Sequence, residues 1–549
     1  MRSKASSRRR NSLFAHNLKA KRKGDVILKK TVATYRVGKK LVKRQINYIP
    51  FRYIFAVLIT VLEVLIIIGA VVACCYFIPY FYLAAYLTEA FCVIKIIASD
   101  DNPDYKIPWL LFVLILPVAG FMLYFIFYSR KLQPKYIRRL HELQSRTAPE
   151  QDERVLEALE SEAPAVAAEA RMLCQISGSH LYAGTEQIYY PSGEAMWAQM
   201  LDDLKGAKQF IFLEYFILEE GLFWNSILEI LKKKATDGIE IRVVYDDIGC
   251  MSTLPGNYAK TLSRYGIHAT PFSRLRGNAD SEFNNRNHRK ILVIDGEIGY
   301  TGGVNIADEY INKIERFGYW KDAGLRLCGE AVQELTRLFL VDYGINVKNF
   351  SPLAKAYFPT VPAANGQGCL IPFGDGPRPL YNRRVGKSVI QNLLSGATRY
   401  AWIYTPYLII DNDLCISIEN AALRGVDVRI MLPHIPDKKM VFAMSRSFYP
   451  RLMAAGVKIY EYTPGFLHAK CYLADDDRAV IGSINLDYRS LVHHFENGVW
   501  MYRCECLCAL KKDMETTFAK SLRVQEADLR IGLIQRVFRA VIRVFAPLL

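Results

Sequence analysis

The chain has 549 residues, which is too long for one ordinary hydrophobic core and predicts two or more domains. Its formal net charge of +17 comes almost wholly from residues 1–50, where 16 Lys and Arg face the single acid Asp25, so the remainder is close to neutral. A nucleic-acid-binding enzyme more often spreads positive charge over its folded surface, which argues against that class. The twelve cysteines form neither a disulfide framework nor the C-x-x-C spacing of a zinc site, and indicate thiols in a reducing setting.

The N-terminal part of the chain has the pattern of a membrane protein. Residues 1–50 form a basic arm beside an apolar block, which is typical of a cytoplasmic segment facing an anionic membrane. Residues 53–98 are almost continuously apolar, about two spans in length, and a third apolar run covers 109–128. We therefore expect transmembrane helices within residues 51–130 and a multi-pass location in the cell membrane. The number of crossings stays open, because basic residues flank the apolar region on both sides.

A duplicated α/β region is predicted after a linker. Residues 131–175 are rich in Ala and Glu and predict a solvated helical linker. Strands and helices then alternate in two similar stretches, 176–362 and 363–527, and the strand–helix–strand order at 209–246 is repeated at 400–432. This alternation predicts an α/β fold made of two halves, each a mixed sheet with helices on its faces.

The C-terminal segment, residues 528–549, has the pattern of a basic amphipathic helix. Apolar side chains fall on one face and arginines on another. Such a helix can lie in a membrane interface, or it can pack on the catalytic domain, and the sequence leaves both possibilities open.

A motif that occurs twice at the same spacing is the most informative feature. In each copy a lysine follows a histidine by two positions, an aspartate by seven, a glycine by 14 and an asparagine by 17. The two copies are His288-Lys290-Asp295-Gly302-Asn305 and His468-Lys470-Asp475-Gly482-Asn485. Two full copies in a duplicated frame are not a chance match, and they predict one active site built from both halves.

Two imidazoles and two ammonium groups in one pocket are suited to attack on a phosphodiester. One histidine can attack phosphorus and form a phosphohistidine, while the other protonates the leaving alcohol and then deprotonates the incoming one. Lys290 and Lys470 would neutralise charge on the non-bridging oxygens. Asp295 and Asp475 have the opposite strand parity and precede turn residues, so we expect them to brace hairpins instead of transferring protons. No acidic or histidine cluster with metal-ligand spacing is evident in the sequence, and no cofactor is expected.

Further residues complete the predicted site. Four positions at the glycine-rich end of the motifs are expected to bind phosphate: Gly303, Asn305, Ser483 and Asn485. Gly303 stands where Ser483 stands in the second copy, so the first half lacks a hydroxyl donor and the halves are chemically unequal. Each histidine should be oriented by a carboxylate, and the candidates are Asp322 and Glu496. Whether these pair within a half or crosswise between the halves stays open.

The sequence resembles the phospholipase D superfamily, in which two His-Lys-Asp motifs meet at one active site, and within it the bacterial cardiolipin synthases. The segments that support this besides the motifs are 102–109, 214–217, 245–249, 300–306, 319–322, 436–439, 485–490 and 545–549. The resemblance covers about residues 50–549 and leaves the basic arm outside. It implies N-terminal transmembrane helices followed by two mixed-sheet halves that are related by a pseudo-twofold axis and flanked by helices.

The resemblance also implies a phosphatidyltransferase that needs neither metal nor cofactor. One phosphatidylglycerol would donate its phosphatidyl group to a histidine and release glycerol, and a second would accept it to give cardiolipin. By analogy with the family, His288 is expected to be the nucleophile and His468 the acid and base. The expected partners are phosphatidylglycerol and other anionic phospholipids of the bacterial cytoplasmic membrane, with no nucleic acid, and the oligomeric state stays open.

Other interpretations of the same residues remain. Another phosphatidyltransferase or a hydrolytic phospholipase D would use the same motifs with a different acceptor. A membrane-anchored nuclease is disfavoured by the near-neutral catalytic region. An inactive lipid-binding scaffold is disfavoured because the His, Lys and Asp positions of both motifs are intact.

Overall fold

A computed structural model describes residues 32–37, 40–45, 51–77, 79–125, 134–147, 153–274, 285–347, 350, 355–361, 365–381 and 383–548. Of the predicted basic arm, only two paired strands, at 32–37 and 40–45, are among the described residues, and the rest of that arm lies outside them. The end of the third apolar run, 126–128, also lies outside them.

The described part of the N-terminal region consists of a pair of antiparallel strands followed by helices of decreasing length. Its elements are β1 (Val32–Val37), β2 (Lys40–Gln45), α1 (Phe51–Phe77), α2 (Pro79–Ala98), α3 (Pro103–Ile115) and α4 (Pro117–Leu123). Many apolar side chains of α1 and α2 are exposed, for example Ile66 and Ile94. When only the described residues are counted, none of the helices has an apolar stretch of the length that a membrane crossing needs. The predicted transmembrane helices are therefore not confirmed.

The predicted solvated linker is instead part of the folded core. It forms α5 (Pro134–Thr147), α6 (Glu153–Glu162) and α7 (Pro164–Ser177). Each helix buries one side against the catalytic domain, through residues such as Leu143, Leu159 and Leu173. The Ala- and Glu-rich composition hid this, because the apolar residues are few but recur at helical spacing on one face.

The first half is built on a seven-stranded mixed sheet. Its elements are β3 (Tyr182–Gly184), β4 (Glu186–Tyr190), α8 (Gly193–Gly206), β5 (Phe210–Tyr215), α9 (Leu222–Thr236), β6 (Glu240–Asp246), α10 (Tyr258–Ser263), β7 (His268–Phe272), β8 (Lys290–Ile294), β9 (Ile298–Gly302), β10 (Tyr319–Lys321), β11 (Gly324–Cys328) and α11 (Val332–Asn346). The strand order is β4-β11-β9-β8-β5-β6-β7, with β5, β6 and β7 parallel and the other pairs antiparallel.

The second half continues the chain to the C-terminal helix. Its elements are β12 (Gly366–Asp375), α12 (Val385–Gly396), β13 (Tyr400–Tyr404), β14 (Leu408–Ile409), α13 (Asn412–Leu423), β15 (Asp427–Pro433), α14 (Lys439–Ala454), β16 (Lys458–Tyr462), β17 (Gly465–Leu467), β18 (Cys471–Ala474), β19 (Arg478–Gly482), β20 (Leu486–Asp487), β21 (Glu496–Tyr502), α15 (Cys506–Ala519), β22 (Ser521–Arg523) and α16 (Leu533–Val544).

The two sheets share one strand order. The second sheet runs β22-β16-β15-β13-β18-β19-β21-β12-β3, so its central seven strands repeat the order of the first sheet read in reverse. Strand β3 lies in the interval predicted for the first half, yet it pairs with β12 and extends the second sheet. The duplicated α/β fold is confirmed, and the equivalent strands β8 and β18 begin at Lys290 and directly after Lys470.

The halves are joined by backbone pairing and by a shared core. Strand β10 pairs in parallel with β17, and Asn287 forms an isolated parallel bridge with Phe495. Helix α11 is buried on all sides and packs against strands of both sheets. These contacts hold the start of each motif strand against the other half.

Candidate active site

The first motif histidine is fixed by the backbone of the opposite half. The His288 N–H donates to the Phe495 carbonyl at 2.9 Å, and Phe495 directly precedes Glu496. The His288 Nδ1 atom lies 2.9 Å from both carboxylate oxygens of Glu496, a residue that is fully buried. A carboxylate only accepts, so Nδ1 carries the proton and Nε2 is the nitrogen with the free lone pair.

The second motif histidine repeats this arrangement in the opposite direction. The His468 N–H donates to the Lys321 carbonyl at 2.7 Å, and Lys321 directly precedes Asp322. The His468 Nδ1 atom lies 2.7 Å from Asp322 Oδ2, and this carboxylate is also fully buried. Each half therefore supplies the carboxylate for the other half's histidine. Of the two arrangements that the sequence left open, the structure has the crosswise one, in which each histidine contacts a carboxylate of the other half.

The lysines of the motifs are buried beside their histidines. The Lys290 ammonium donates to the His288 carbonyl at 2.6 Å, and the Lys470 ammonium lies 2.8 Å from His468 Nδ1. Burial lowers the pKa of Lys470 to about 8, and burial together with the charge of Lys470 lowers the pKa of Lys290. A buried ammonium group whose pKa is lowered in this way is stabilised by an anion bound beside it.

Burial also keeps both imidazoles neutral. It lowers the pKa of His288 to about 3 against the opposing effect of Glu496, and it lowers the pKa of His468 to about 4, with Lys470 acting in the same direction. The histidines hold the pKa values of Glu496 and Asp322 below their usual range. At neutral pH each pair is a neutral imidazole oriented by a carboxylate, which is the protonation state of a nucleophile or a general base.

Gly303 and Ser483 hold the two carboxylates by different means. The Ser483 hydroxyl donates to Glu496. A side chain at Gly303 would place its Cβ 2.1 Å from Asp322 Oδ1 and 3.2 Å from the His468 carbonyl. The glycine therefore leaves room for the Asp322 carboxylate. The space that a serine side chain would take in the first half is occupied by this carboxylate.

The two motif asparagines differ in their contacts. The Asn305 amide oxygen accepts from Ile217 N–H at 3.2 Å and its amide nitrogen donates to the Tyr310 hydroxyl at 2.7 Å. The Tyr310 ring in turn meets the His468 ring edge-on at 5.4 Å between centroids. In the described part of the chain, the buried Asn485 side-chain oxygen has no hydrogen-bond partner. Asn305 thus holds Tyr310, whose ring packs against the His468 ring.

The motif aspartates lie at hairpin turns. Asp295 has a φ of 56° ahead of Gly296 at 72°, which is the backbone geometry of a tight turn between β8 and β9. Its carboxylate accepts from the backbone N–H groups of residues 208–210 at 2.7 to 2.9 Å. Asp475 has a φ of 54° and accepts in the same way from residues 398–400. Both tie the motif hairpin to the neighbouring strand.

A buried polar network that the motif spacing did not reveal lies beneath the first histidine. The Asn287 amide nitrogen donates to Glu214 and, at 3.0 Å, to Asp342. The Arg289 guanidinium donates to Asp342 at 2.7 Å and to the Glu496 carbonyl at 3.0 Å. The residues on either side of His288 therefore fix its backbone. Their position next to a motif histidine was the only sequence sign of this role.

His494 is a second residue that the sequence reading passed over. It is buried, its Nδ1 lies 3.5 Å from Glu496 Oε1, and its ring is 5.4 Å from that of His288. Among the described residues, His288, His494 and Glu496 are the one group whose donor atoms come close enough to share a cation. The hydrogen bonds from His288 to Glu496 already account for the contact between those two.

Comparisons with known proteins identify the family to which the chain is similar. A family model described as "Cardiolipin synthase, PLD-like domain" matches residues 200–339 and 390–520, and one described as "Phospholipase D-nuclease N-terminal" matches residues 90–127.

Relatives align over most of their length. An uncharacterized protein of Streptococcus mutans is 42% identical over 83% of this chain and 99% of its own. A cardiolipin synthase of Halalkalibacterium halodurans is 32% identical over 84% and 92% of the respective chains, and cardiolipin synthase 2 of Bacillus anthracis is 33% identical over 83% and 89%.

Among solved structures, the fold is similar to that of phosphatidylserine synthase from Haemophilus influenzae. The TM-score is 0.51 at 16% identity, and the match covers 66% of this chain and 94% of that one. This likeness concerns the fold alone. Taken with the family model and the bacterial relatives, the duplicated motif and its crossed histidine–carboxylate pairs place the chain in the cardiolipin synthase family of phospholipase D-like proteins.

Proposed function

We propose that the protein transfers a phosphatidyl group from one phosphatidylglycerol to another, giving cardiolipin and glycerol. The observation that carries this proposal is the pair of neutral histidines, each oriented by a buried carboxylate of the opposite half and accompanied by a buried lysine. Such a site offers a nucleophile, a proton carrier and two cations for a phosphodiester.

In the first step His288 is the nucleophile. Its Nε2 attacks phosphorus, the bond from phosphorus to the glycerol oxygen breaks, and a phosphohistidine forms. Glu496 stabilises the positive charge that develops on the His288 ring, because its buried carboxylate accepts a hydrogen bond from Nδ1–H. Lys290 and Lys470 would balance the charge on the non-bridging oxygens.

His468 transfers the proton in both steps. Burial lowers its pKa to about 4, but the negative charge of a bound phosphodiester raises the pKa of a neighbouring imidazole. His468 then donates its proton to the departing glycerol oxygen. In the second step it removes the proton from the free hydroxyl of the second phosphatidylglycerol, whose oxygen attacks phosphorus and releases His288.

We further propose that the protein is held in the bacterial cytoplasmic membrane as a multi-pass protein by the apolar helices of residues 51–125. The exposed apolar side chains of α1 and α2 support this, since a row such as Leu58, Ile66, Leu87 and Ile94 would otherwise face water. Membranes from cells that make the full chain would be washed with alkaline carbonate. Retention in the pellet is expected, and release into the supernatant would contradict the proposal.

The reaction is tested in mixed micelles with head-group-labelled phosphatidylglycerol as the only lipid substrate. The wild type would be compared with His288→Ala, His468→Ala and the control His268→Ala, which replaces an exposed histidine of β7. Cardiolipin and free glycerol from the wild type and the control, but from neither motif variant, are expected. Phosphatidic acid in place of cardiolipin would make the protein a hydrolase.

The order of the two histidines is tested by trapping the intermediate. Lipid-labelled protein that is denatured with sodium dodecyl sulfate at neutral pH, where the P–N bond is not cleaved by acid, should carry a covalent phosphatidyl group on His288. A covalent adduct in His288→Ala but not in His468→Ala would reverse the assignment.

A further inference from the structure

A large cavity lies between the C-terminal helix and the second half, and Tyr488, three residues after the motif residue Asn485, lines it. Its volume is about 1130 Å³, and its walls come from α3, α14, α16 and the segment that begins α13. No residue of either His-Lys motif is among its lining residues. Ligand pockets for small molecules are commonly about 300–1,000 Å³, so this space is large enough for a phospholipid head group and its glycerol backbone.

Three arginines of α16 line this cavity on one helix face. Arg536, Arg539 and Arg543 are spaced three and four residues apart and all border the cavity. Among the described residues none of the three has an ion-pair partner, and the Arg543 guanidinium lies 4.4 Å from the Phe448 ring centre. Burial and the charge of the neighbouring Arg446 lower the pKa of Arg539. A row of cations without an ion-pair partner is complementary to an anion.

Within the described part of the chain, the acidic residues of the lining form no ion pair with this row. Asp104 accepts from the Asn412 N–H at 2.7 Å and from the Tyr488 hydroxyl at 3.3 Å. Asp413 pairs with Lys387 at 2.8 Å. The third acidic residue, Glu526, is exposed. The α16 arginines therefore have guanidinium groups that no described carboxylate pairs with and that can bind an anion.

The other face of α16 indicates what kind of molecule carries the anion. Its apolar residues point away from the protein, with exposed fractions between 52% and 86%: Leu533, Ile534, Val537, Phe538 and Val541. The cavity itself has apolar walls from residues such as Ile107 and Phe448. Phe112 of α3, which follows the apolar helices α1 and α2, packs on Phe545 just after α16. Apolar surface thus continues from the N-terminal helices to the outer face of α16.

We propose that this cavity binds one anionic glycerophospholipid of the bilayer, with the phosphate on Arg536, Arg539 and Arg543. The apolar face of α16 enters the membrane interface beside it, and the acyl chains leave along that face. The site is separate from the catalytic histidines, so the proposal does not depend on the reaction assigned above. A phosphate on arginines is the shared chemistry of a lipid head group and free phosphate, and the apolar surroundings favour the lipid.

The test counts the lipids that the full-length protein retains. The protein in mild detergent would be mixed with dioleoylphosphatidylglycerol and dioleoylphosphatidylcholine and measured by native mass spectrometry. Every protein in the series would carry His468→Ala, so that any lipid held at the catalytic site is common to all and is not consumed.

Two variants address the cavity and one is a matched control. Arg536→Gln, Arg539→Gln and Arg543→Gln together remove the charge, and Ala540→Trp fills the cavity while leaving the charge in place. The control replaces three exposed lysines of the first half, Lys208, Lys233 and Lys260, by Gln and removes the same charge elsewhere. Melting temperatures would show that all variants fold.

The parent and the lysine control should retain one more phosphatidylglycerol than either cavity variant. Each arginine near an anionic lipid contributes about a fivefold factor, so the triple variant should bind it roughly 100-fold more weakly. Equal phosphatidylglycerol retention by all proteins, or equal retention of phosphatidylcholine by the parent, would overturn the proposal. Displacement of the lipid by excess inorganic phosphate would identify a free-phosphate site instead.

Discussion

His288 and Glu496 are 208 residues apart in the chain, yet the imidazole Nδ1 lies 2.9 Å from both carboxylate oxygens. The contact follows from the backbone: His288 N–H is bonded to the carbonyl just before Glu496, and His468 N–H is bonded to the carbonyl just before Asp322. The orientation of each histidine therefore depends on the backbone hydrogen bonds between the two halves.

The crossed pairs predict that the two carboxylates affect different steps. Glu496→Gln should slow attack by His288 on every substrate, by on the order of 100- to 10,000-fold. Asp322→Asn should slow turnover of phosphatidylglycerol similarly, because in the proposed mechanism His468 protonates the departing glycerol. With phosphatidyl-p-nitrophenol, whose leaving group departs without a proton, Asp322→Asn should still release nitrophenol in the first step.

Rapid-quench measurement of nitrophenol release distinguishes these cases. Glu297→Gln, which changes an exposed glutamate in the β8–β9 turn, serves as the control. Equal loss of first-step release in Asp322→Asn and Glu496→Gln would contradict the separation of roles.

The close approach at Gly303 predicts a specific defect from one methyl group. In Gly303→Ala the new Cβ would overlap Asp322 Oδ1, so the carboxylate must move away from His468. We expect a loss of activity comparable to that of Asp322→Asn, with a destabilisation of about 1–3 kcal/mol. Gly256→Ala is the control, because a Cβ there meets nothing within 4 Å.

Steady-state turnover and denaturant unfolding of these two variants test the point. Unchanged turnover in Gly303→Ala would mean that Asp322 does not need its present position.

The motif aspartates are expected to affect stability more than chemistry. Asp295→Ala would leave three backbone N–H groups without their acceptor, at a cost of roughly 2–4 kcal/mol. The melting temperature should fall by several degrees, while activity per folded molecule at low temperature stays within about tenfold. Asp202→Ala, at an exposed aspartate, is the control. A large loss of activity without a loss of stability would assign Asp295 to the reaction itself.

The lowered histidine pKa values predict that acid destabilises the fold before the carboxylates titrate. His288 and His468 have pKa values of about 3 and about 4 when folded, against 6.5 as the ordinary value. Between pH 6.5 and pH 4.5 the unfolded chain binds protons that the folded site excludes, so the free energy of unfolding decreases as the pH falls. The slope is up to about 1.4 kcal/mol per pH unit for each histidine.

Denaturant unfolding at several pH values in this window measures the slope. A variant with His288→Gln and His468→Gln should show a shallower dependence, and His493, whose pKa burial lowers to about 3, contributes to both proteins alike. If the free energy of unfolding had the same pH dependence in the two proteins, His288 and His468 would not be held neutral in the folded site.

Much of the fold was predictable because its determinants are local. The alternation of strand and helix at 209–246 and 400–432 predicted β5–α9–β6 and β13–α13–β15, and the paired turn residues predicted hairpins at Asp295 and Asp475. The repeat spacing predicted two equivalent halves, and the sheets share one strand order.

What the sequence could not provide depends on how distant segments meet. The partner of each histidine is set by the pairing of β10 with β17 and by the bridge from Asn287 to Phe495, which no local pattern encodes. The burial of α5–α7 was missed because their composition resembles a solvated helix. For α16 the two faces were evident, but only the structure shows that its arginines line a cavity while its apolar side chains are exposed.

The crossed carboxylates have a consequence for how such a chain can diverge. In a symmetric dimer of one repeat, any change at the partner of one histidine would appear at both. Joined in a single polypeptide, the repeats remain mutually dependent but are free to differ, and here one has settled on glutamate with serine and the other on aspartate with glycine. In this chain each repeat orients its histidine with the other repeat's carboxylate, so a substitution in one repeat affects the histidine of the other.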